Sequence, residues 1–377
     1  KGISLFLVPK FLPDDTGGHS VRNLMSVGAL EEKMGIHAQP TCVMNYDGAT
    51  GWLVGEAHRG LNAMFTMMNA ERLMVGIQGL GIAGTAYQQA TAYAKDRLQG
   101  KSADGARGPV PIIEHADVRR MLLNVRGFVE AARALAGWVA LQMGRSHEHP
   151  DAGERAKADA LVALLTPVIK AAFTDFGFES AVQAQQVFGG HGYIREWGME
   201  QYVRDARIAQ IYEGTNGVQA MDLVGRKLSM AGGAVADGFF ALITADLAEA
   251  EKYAGASMIA AKTGEALALL RERTTDLRGQ DVDALGAAAV DYLRLFALVS
   301  FAWMWTRMAM AADGGATPLH ATKLQVAAYF VQRVLPQAHG LAAALAAGPD
   351  TMMLPQSFLG VSRNLFSGGF CGTGLGL

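Results

Sequence analysis

Cysteine is almost missing from this chain: there are two in 377 residues, Cys42 and Cys371, far apart in sequence. A disulfide framework is therefore not expected, and a reducing, cytoplasmic setting is. An excess of one charge is missing as well. The 33 basic residues stand against 35 acidic ones, with no Lys/Arg-rich tract, which argues against nucleic-acid binding. Long hydrophobic runs are missing too. The longest, Leu295 to Thr306, is shorter than a bilayer-crossing segment and ends at Arg307, so a buried core helix is expected there and no membrane span. Metal-ligand spacing is also lacking. His147 and His149, in "SHEHPDAG", alternate within an expected polar turn without a third ligand at helical spacing, so no metal site is expected. The opening "KGISLFLVPK" has no initiator Met and no signal-peptide pattern, and an apolar strand at the first residues implies a start in mid-fold.

What the chain does have is length and apolar residues: half of it is hydrophobic, enough for two or three domains and a large core. Up to about residue 58 the apolar period is two. "ISLFLVPKF" and "TCVMNYDGATGWLVGE" read as strands separated by the turn-rich "PDDTGG". After Gly60 the period becomes 3.6. Helices are expected over Leu61 to about Leu98, Asp117 to about Met143, and "ERAKADALVALLTPVIKAAFTDF", with a fourth, shorter one leading into residue 186. Long helices with short connections imply an antiparallel bundle. Beyond residue 232 the composition turns Ala-rich, with helices expected near 237–253, 256–275, 281–311 and 318–347. The fold class is thus mainly α, divided as 1–58 (β), 59–232 (bundle), 233–350 (additional helices) and a poorly ordered Gly-rich tail, 351–377.

Two glycine clusters compete as functional candidates. "GLGIAG", Gly79 to Gly84, satisfies the dinucleotide-binding pattern, but that motif needs a strand before it and helical sequence lies on both sides. Close helix packing explains these glycines better. The second cluster lies in "QVFGGHGYIREWGMEQYVRDARIAQIYEGTNGVQ", Gln186 to Gln219. There "FGGHGY" permits close approach by another group. His191 has no Cys or carboxylate partner for nucleophilic chemistry and receives no catalytic role. Further on, Gly214 stops a helix and Thr215 or Asn216 can cap the next. Glu213 sits at that junction between Tyr212 and Gly214, a placement that suits a general base and equally an exposed junction residue.

At "QVFGGHGYIRE…VRDARIAQIYEGTN" the sequence closely resembles the signature of the acyl-CoA dehydrogenases, flavoenzymes that desaturate acyl-CoA thioesters between Cα and Cβ. "KMGIHAQPTCVMNYDGATGWLVGEAHRGL" is similar to the end of that family's middle β domain, and "ERLMVGIQGLGIAGTAYQQATAYAKDRLQG" to the first helix of its C-terminal bundle. The resemblance covers about residues 1–230. The later "ATKLQVAAYFVQRVLPQ" resembles the extra helical domain of a bacterial subgroup that includes 3-(methylthio)propanoyl-CoA dehydrogenases.

The resemblance implies FAD as cofactor, an acyl-CoA substrate, electron-transfer flavoprotein or a similar acceptor, and a homodimer or homotetramer. It implies that Glu213 removes the α-proton and that its backbone N–H binds the thioester carbonyl as an oxyanion hole does. It implies that Arg97, Gln186, Gly189 and Gly190 meet the FAD of a neighbouring subunit. Thr215 would contact FAD beside the base, and Asn69, Arg72, Tyr212 and Gly214 would lie along the substrate. Glu71 matches the position that carries the base in some branches of the family; the signature around Glu213 favours Glu213. The family's N-terminal helical domain and most of its β domain have no counterpart here, so weak FAD binding by the chain alone is expected. An assembly module without a complete flavin pocket and an acyl-CoA oxidase remain the alternatives.

Overall fold

The computed structural model describes residues 2–355 and Phe358. Most of the Gly-rich tail expected over 351–377, with Cys371, lies outside the described residues.

Residues 5–54 form six short strands: β1 (Leu5–Leu7), β2 (Phe11–Leu12), β3 (Val21–Arg22), β4 (Met25–Leu30), β5 (Cys42–Tyr46) and β6 (Trp52–Val54). They pair antiparallel as β1–β6, β2–β3 and β4–β5, three separate two-stranded sheets. Strands β3 and β4 were not expected from the alternation pattern. Asn23 is the buried centre of this region. Its amide donates to the carbonyls of Pro9 and Thr50, while its side-chain oxygen accepts from the Thr50 and Leu24 N–H groups. The segments leading into β2 and β6 are thereby tied to the β3–β4 connection by one polar side chain.

The long helices are α1 (Gly60–Asp96), α2 (Ala116–Glu148) and α3 (Ala152–Val187). Helix α1 matches the expected span. Helix α2 runs five residues past Met143, so His147 and Glu148 lie in its last turn and only His149 is in the connection. Arg145 and His147 there complement the negative end of the helix dipole, and Arg145 also pairs with Glu154 of α3 at 3.0 Å. No metal-binding cluster of His, Cys, Asp or Glu occurs among the described residues. Helix α3 absorbs the separate fourth helix that was expected. Gly177, just past the expected end of the third helix, is helical and packs directly on Gly79 of α1, and Pro167 is accommodated within the helix. The tight crossing of α1 and α3 also uses Gly76, whose position leaves no room for a side chain against Ile169. The glycines of the "GLGIAG" stretch thus lie inside α1, with helix rather than a strand leading into them.

Two short 3₁₀ segments (Gly189–Tyr193 and Arg195–Trp197) lead into α4 (Met199–Ala209), followed by α5 (Asn216–Gly225). Thr215 caps α5, accepting from the Val218 N–H. The remaining helices are α6 (Ala234–Ala250), α7 (Ser257–Leu277), α8 (Val282–Ala312), α9 (Pro318–Tyr329) and α10 (Gln337–Leu345). The single helix expected over 318–347 is broken by a π-helical turn at Phe330–Val334. Pro336 just beyond it has no N–H to donate, so the ladder cannot continue regularly.

One apolar core runs from Leu73 of α1 through α2 and α3 to Trp303 and Trp305 of α8 and Ala338 of α10. Three stretches, Ala152–Val187, Asn216–Ala250 and Val282–Ala312, are long and apolar enough to cross a membrane by length and composition, more than the sequence pattern led us to expect. In the first and third, 72% and 61% of the apolar window is buried inside the fold, which accounts for its composition. The second is interrupted where Met230, Ala231 and Gly232 leave helical geometry.

Candidate functional site

The residues singled out by the sequence fall into two groups on α1. The first surrounds the turn between α4 and α5. Glu213 and Gly214 are both left-handed there, with φ of 55° and 81°. For a non-glycine residue this conformation costs about 1–2 kcal/mol, so something must hold it. The Glu213 carbonyl accepts from Gln219 Nε2 at 3.1 Å and more weakly from Arg72 Nε at 3.4 Å. The Gly214 carbonyl accepts from Lys170 Nζ at 2.8 Å. Both carbonyls of the turn are therefore held by side chains from the protein interior. The backbone N–H groups of Glu213 and Gly214 have no acceptor among the described residues.

Lys170 is fully buried in α3 and donates also to Asn216 Oδ1 at 2.9 Å. Burial, the largest influence, lowers its pKa to about 8; the Arg72 charge acts in the same direction, against those of Asp175 and Glu213. The Asn216 amide bonds Asp175 at 2.7 Å and the Thr174 hydroxyl at 2.9 Å, and Gln210 bonds Asp175 at 2.6 Å. Burial raises the pKa of Asp175, opposed by those two hydrogen bonds. Gln219 is buried too, and its side-chain oxygen has no donor among the described residues.

Tyr212 bonds Gln78 of α1 through its hydroxyl. Its pKa is raised chiefly by burial, and the charges of both Glu213 and Glu71 add to the rise. The two candidate bases thus flank one phenol. Glu71 is exposed and makes no ion pair among the described residues. Arg72 itself is buried and turned toward Glu213, while Asn69, one turn earlier, is exposed. Thr215 is exposed at the rim of the turn.

The second group lines a cleft of about 590 Å³ at the far end of α1, where Arg97, Gln186, Gly189 and Gly190 come together with Tyr93, Gln99, His115 and His191. A side chain added at Gly189 or Gly190 would meet no neighbouring atom, so the backbone there is open to close approach. His191 stacks on Trp197, ring centroids 4.5 Å apart, and its Nδ1 meets the Tyr93 hydroxyl at 2.9 Å. It serves to build the cleft wall. Arg72 and Arg97 are 25 residues apart on one straight helix and its cap, about 37 Å at 1.5 Å per residue. The two groups are not one site within a single chain.

Residues 58–228 match the acyl-CoA dehydrogenase C-terminal domain, and residues 239–355 match a second family described as acetyl-CoA dehydrogenase C-terminal like. Residues 58–228 thus belong to the acyl-CoA dehydrogenase family. The chain is 42% identical over 349 residues to the 3-methylmercaptopropionyl-CoA dehydrogenase of Ruegeria pomeroyi, covering 89% of this chain and 58% of that one. It is 33% identical to the broad-specificity linear acyl-CoA dehydrogenase FadE5 of Mycobacterium tuberculosis, covering 89% of this chain and 59% of that protein. The chain therefore spans less than two thirds of the curated relatives it matches. In fold it is similar to an acyl-CoA dehydrogenase complexed with FAD from Bacillus anthracis, with a TM-score of 0.70, 20% identity, and 85% of this chain and 56% of that one covered. It is likewise similar to Caenorhabditis elegans ACDH-11 in complex with C11-CoA, with a TM-score of 0.69, 18% identity, and 87% and 52% covered.

The signature pointed to Glu213, Thr215 and the glycine loop, all of them local in sequence. Lys170, Asp175, Gln78 and Gln219, which build the turn's support, were missed. One signal was available: Lys170 is the lone charge in the apolar run "LVALLTPVIKAAF".

Proposed function

We propose that this chain carries the proton-abstracting half of an FAD-dependent acyl-CoA dehydrogenase. The observation that supports this most directly is the turn at Glu213: a carboxylate on a left-handed residue, its peptide carbonyls held from behind and its N–H groups unpaired. Such a pair of free amides can take a thioester carbonyl and stabilise the negative charge that gathers on its oxygen when the α-proton leaves. Glu213 then removes that proton. Tyr212, Gly214, Arg72 and Asn69 line the approach to it. FAD, when bound, supplies the acceptor for the β-hydrogen and its electron pair.

Arg97, Gln186, Gly189 and Gly190 fit the pyrophosphate end of FAD: a guanidinium and an open glycine backbone line one cleft. Their distance from the Glu213 group favours a flavin held between two copies of the chain, hence a homodimer or homotetramer. Thr215 sits beside the base, where it can touch the same cofactor. In this reading residues 59–232 hold the chemistry, 1–58 are the end of a β domain and 233–350 an additional helical domain. An electron-transfer flavoprotein as acceptor and a cytoplasmic location, in keeping with a free Cys42, complete the proposal.

The test joins this chain to the N-terminal region of the Ruegeria relative, adds FAD and offers saturated acyl-CoA thioesters. Bleaching of the flavin with formation of a 2-enoyl-CoA is the expected result. No bleaching over a wide range of acyl groups would overturn the proposal.

A further inference from the structure

A fully buried lysine with no carboxylate at ion-pair distance among the described residues is an expensive residue in a helix interface, where Met or Leu would fill the same space without desolvating a charge. Lys170 occupies such a place in α3. Its ammonium is directed at two acceptors, the Gly214 carbonyl at 2.8 Å and Asn216 Oδ1 at 2.9 Å. These acceptors bracket the left-handed turn on its α5 side. Gln219 and Arg72 hold the Glu213 carbonyl on the other. Rotating the Gly214–Thr215 peptide would take one of these two acceptors away from an ammonium in a dry site, which leaves a charged N–H unsatisfied there. The lysine thus favours one orientation of the turn over its alternatives.

We infer that Lys170 is the positioning residue of the Glu213 turn: by clamping the Gly214 carbonyl, its ammonium keeps the neighbouring N–H groups free for the substrate. The inference rests on the function proposed above for Glu213. The positive charge also lies within hydrogen-bond distance of the turn, where it favours negative charge collecting at the turn's amides. The charged groups that face Lys170 are Asp175 on its own helix, Arg72 on α1 and Glu213 in the turn. Because burial has brought its pKa to about 8, the ammonium is lost within an accessible pH range. The neutral amine keeps two N–H groups but no charge, so the clamp weakens and catalysis falls on the alkaline side.

The test has two arms. In the isotope-labelled 377-residue chain, NMR follows the Lys170 ε-methylene and the amides of Glu213 and Gly214 against pH. All three are expected to titrate together near pH 8, and the amide titration should vanish in Lys170→Met. In the FAD-loaded holoenzyme, Lys170→Met should lower kcat about 10²-fold, the cost of a small misplacement of reacting groups, with KM changed far less. The alkaline limb of kcat should disappear with it, and Lys170→Arg, which keeps its charge, should recover part of kcat without that limb. Titration of Lys170 above pH 10 in the unaltered chain overturns the inference whether or not the variants fold. So does a folded Lys170→Met enzyme with unchanged kcat and pH profile. If the unaltered holoenzyme does not oxidise acyl-CoA, the function proposed for Glu213 fails, and the titration arm still decides the clamp.

Discussion

Gly79 of α1 and Gly177 of α3 lie back to back. A Cβ on Gly177 would stand 2.7 Å from the Gly79 carbonyl oxygen, and one on Gly79 would stand 2.6 Å from the Phe173 carbonyl oxygen. Both obstacles are helix backbone, which cannot rotate away as a side chain can. The crossing of the two helices positions Gln78 and Arg72 on one side against Lys170 and Asp175 on the other.

Gly177→Ala and Gly79→Ala should therefore each destabilise the fold by about 1–3 kcal/mol, the usual cost of overpacking. Gly81, two residues on, faces open space. Gly81→Ala should stabilise by about 0.5–1 kcal/mol through the lost flexibility of a helical glycine. Urea unfolding of the three variants checks this. The same sign for all three would show that α1 and α3 do not meet as described.

Trp305 of α8 is fully buried and donates its indole N–H to the Gly127 carbonyl of α2 at 3.0 Å. Trp305→Ala should cost about 3–5 kcal/mol through the cavity it leaves. Because one core runs through both helices, unfolding should remain a single transition. Probes in α2 and α7 that report separate midpoints would contradict a continuous core.

Glu213→Gln should remove at least about 10²–10⁴ of kcat, the contribution of a positioned general base. Glu71 also acts on Tyr212, but it is exposed and projects from a regular helix. Glu71→Gln should act mainly through KM. Stopped-flow flavin reduction by acyl-CoA separates them. Loss of reduction in Glu71→Gln with retention in Glu213→Gln would move the base to α1.

Arg97→Ala should release FAD while leaving the Glu213 turn intact, and Glu213→Gln should do the reverse. If each flavin site is shared between two copies, a mixed dimer of these two inactive variants contains one site with both native residues. Refolding them together in equal amounts should restore about a quarter of the unaltered activity, since half the dimers are mixed and each holds one such site. No recovery, with mixed dimers confirmed by mass spectrometry, would place Arg97 and Glu213 in separate functions.

Local patterns in the chain were enough to define much of this protein. The switch from period two to period 3.6 near Gly60 marked where strands give way to helices, because that period records which faces are covered. The stretch "QIYEGTN" marked the turn at Glu213, since a left-handed residue followed by glycine and a capping threonine is written in consecutive residues. The pattern divided this region into two helices, with the third ending at Phe176 just before Gly177. Only its contact with Gly79, about a hundred positions away, makes it a packing residue. The role of Lys170 was hidden for the same reason. In the sequence it is one lysine in an apolar helix; its partners, Gly214 and Asn216, lie 44 and 46 residues further on. Local propensity is encoded residue by residue, whereas the desolvation of a charge and the orientation of a peptide depend on what the folded chain brings against them.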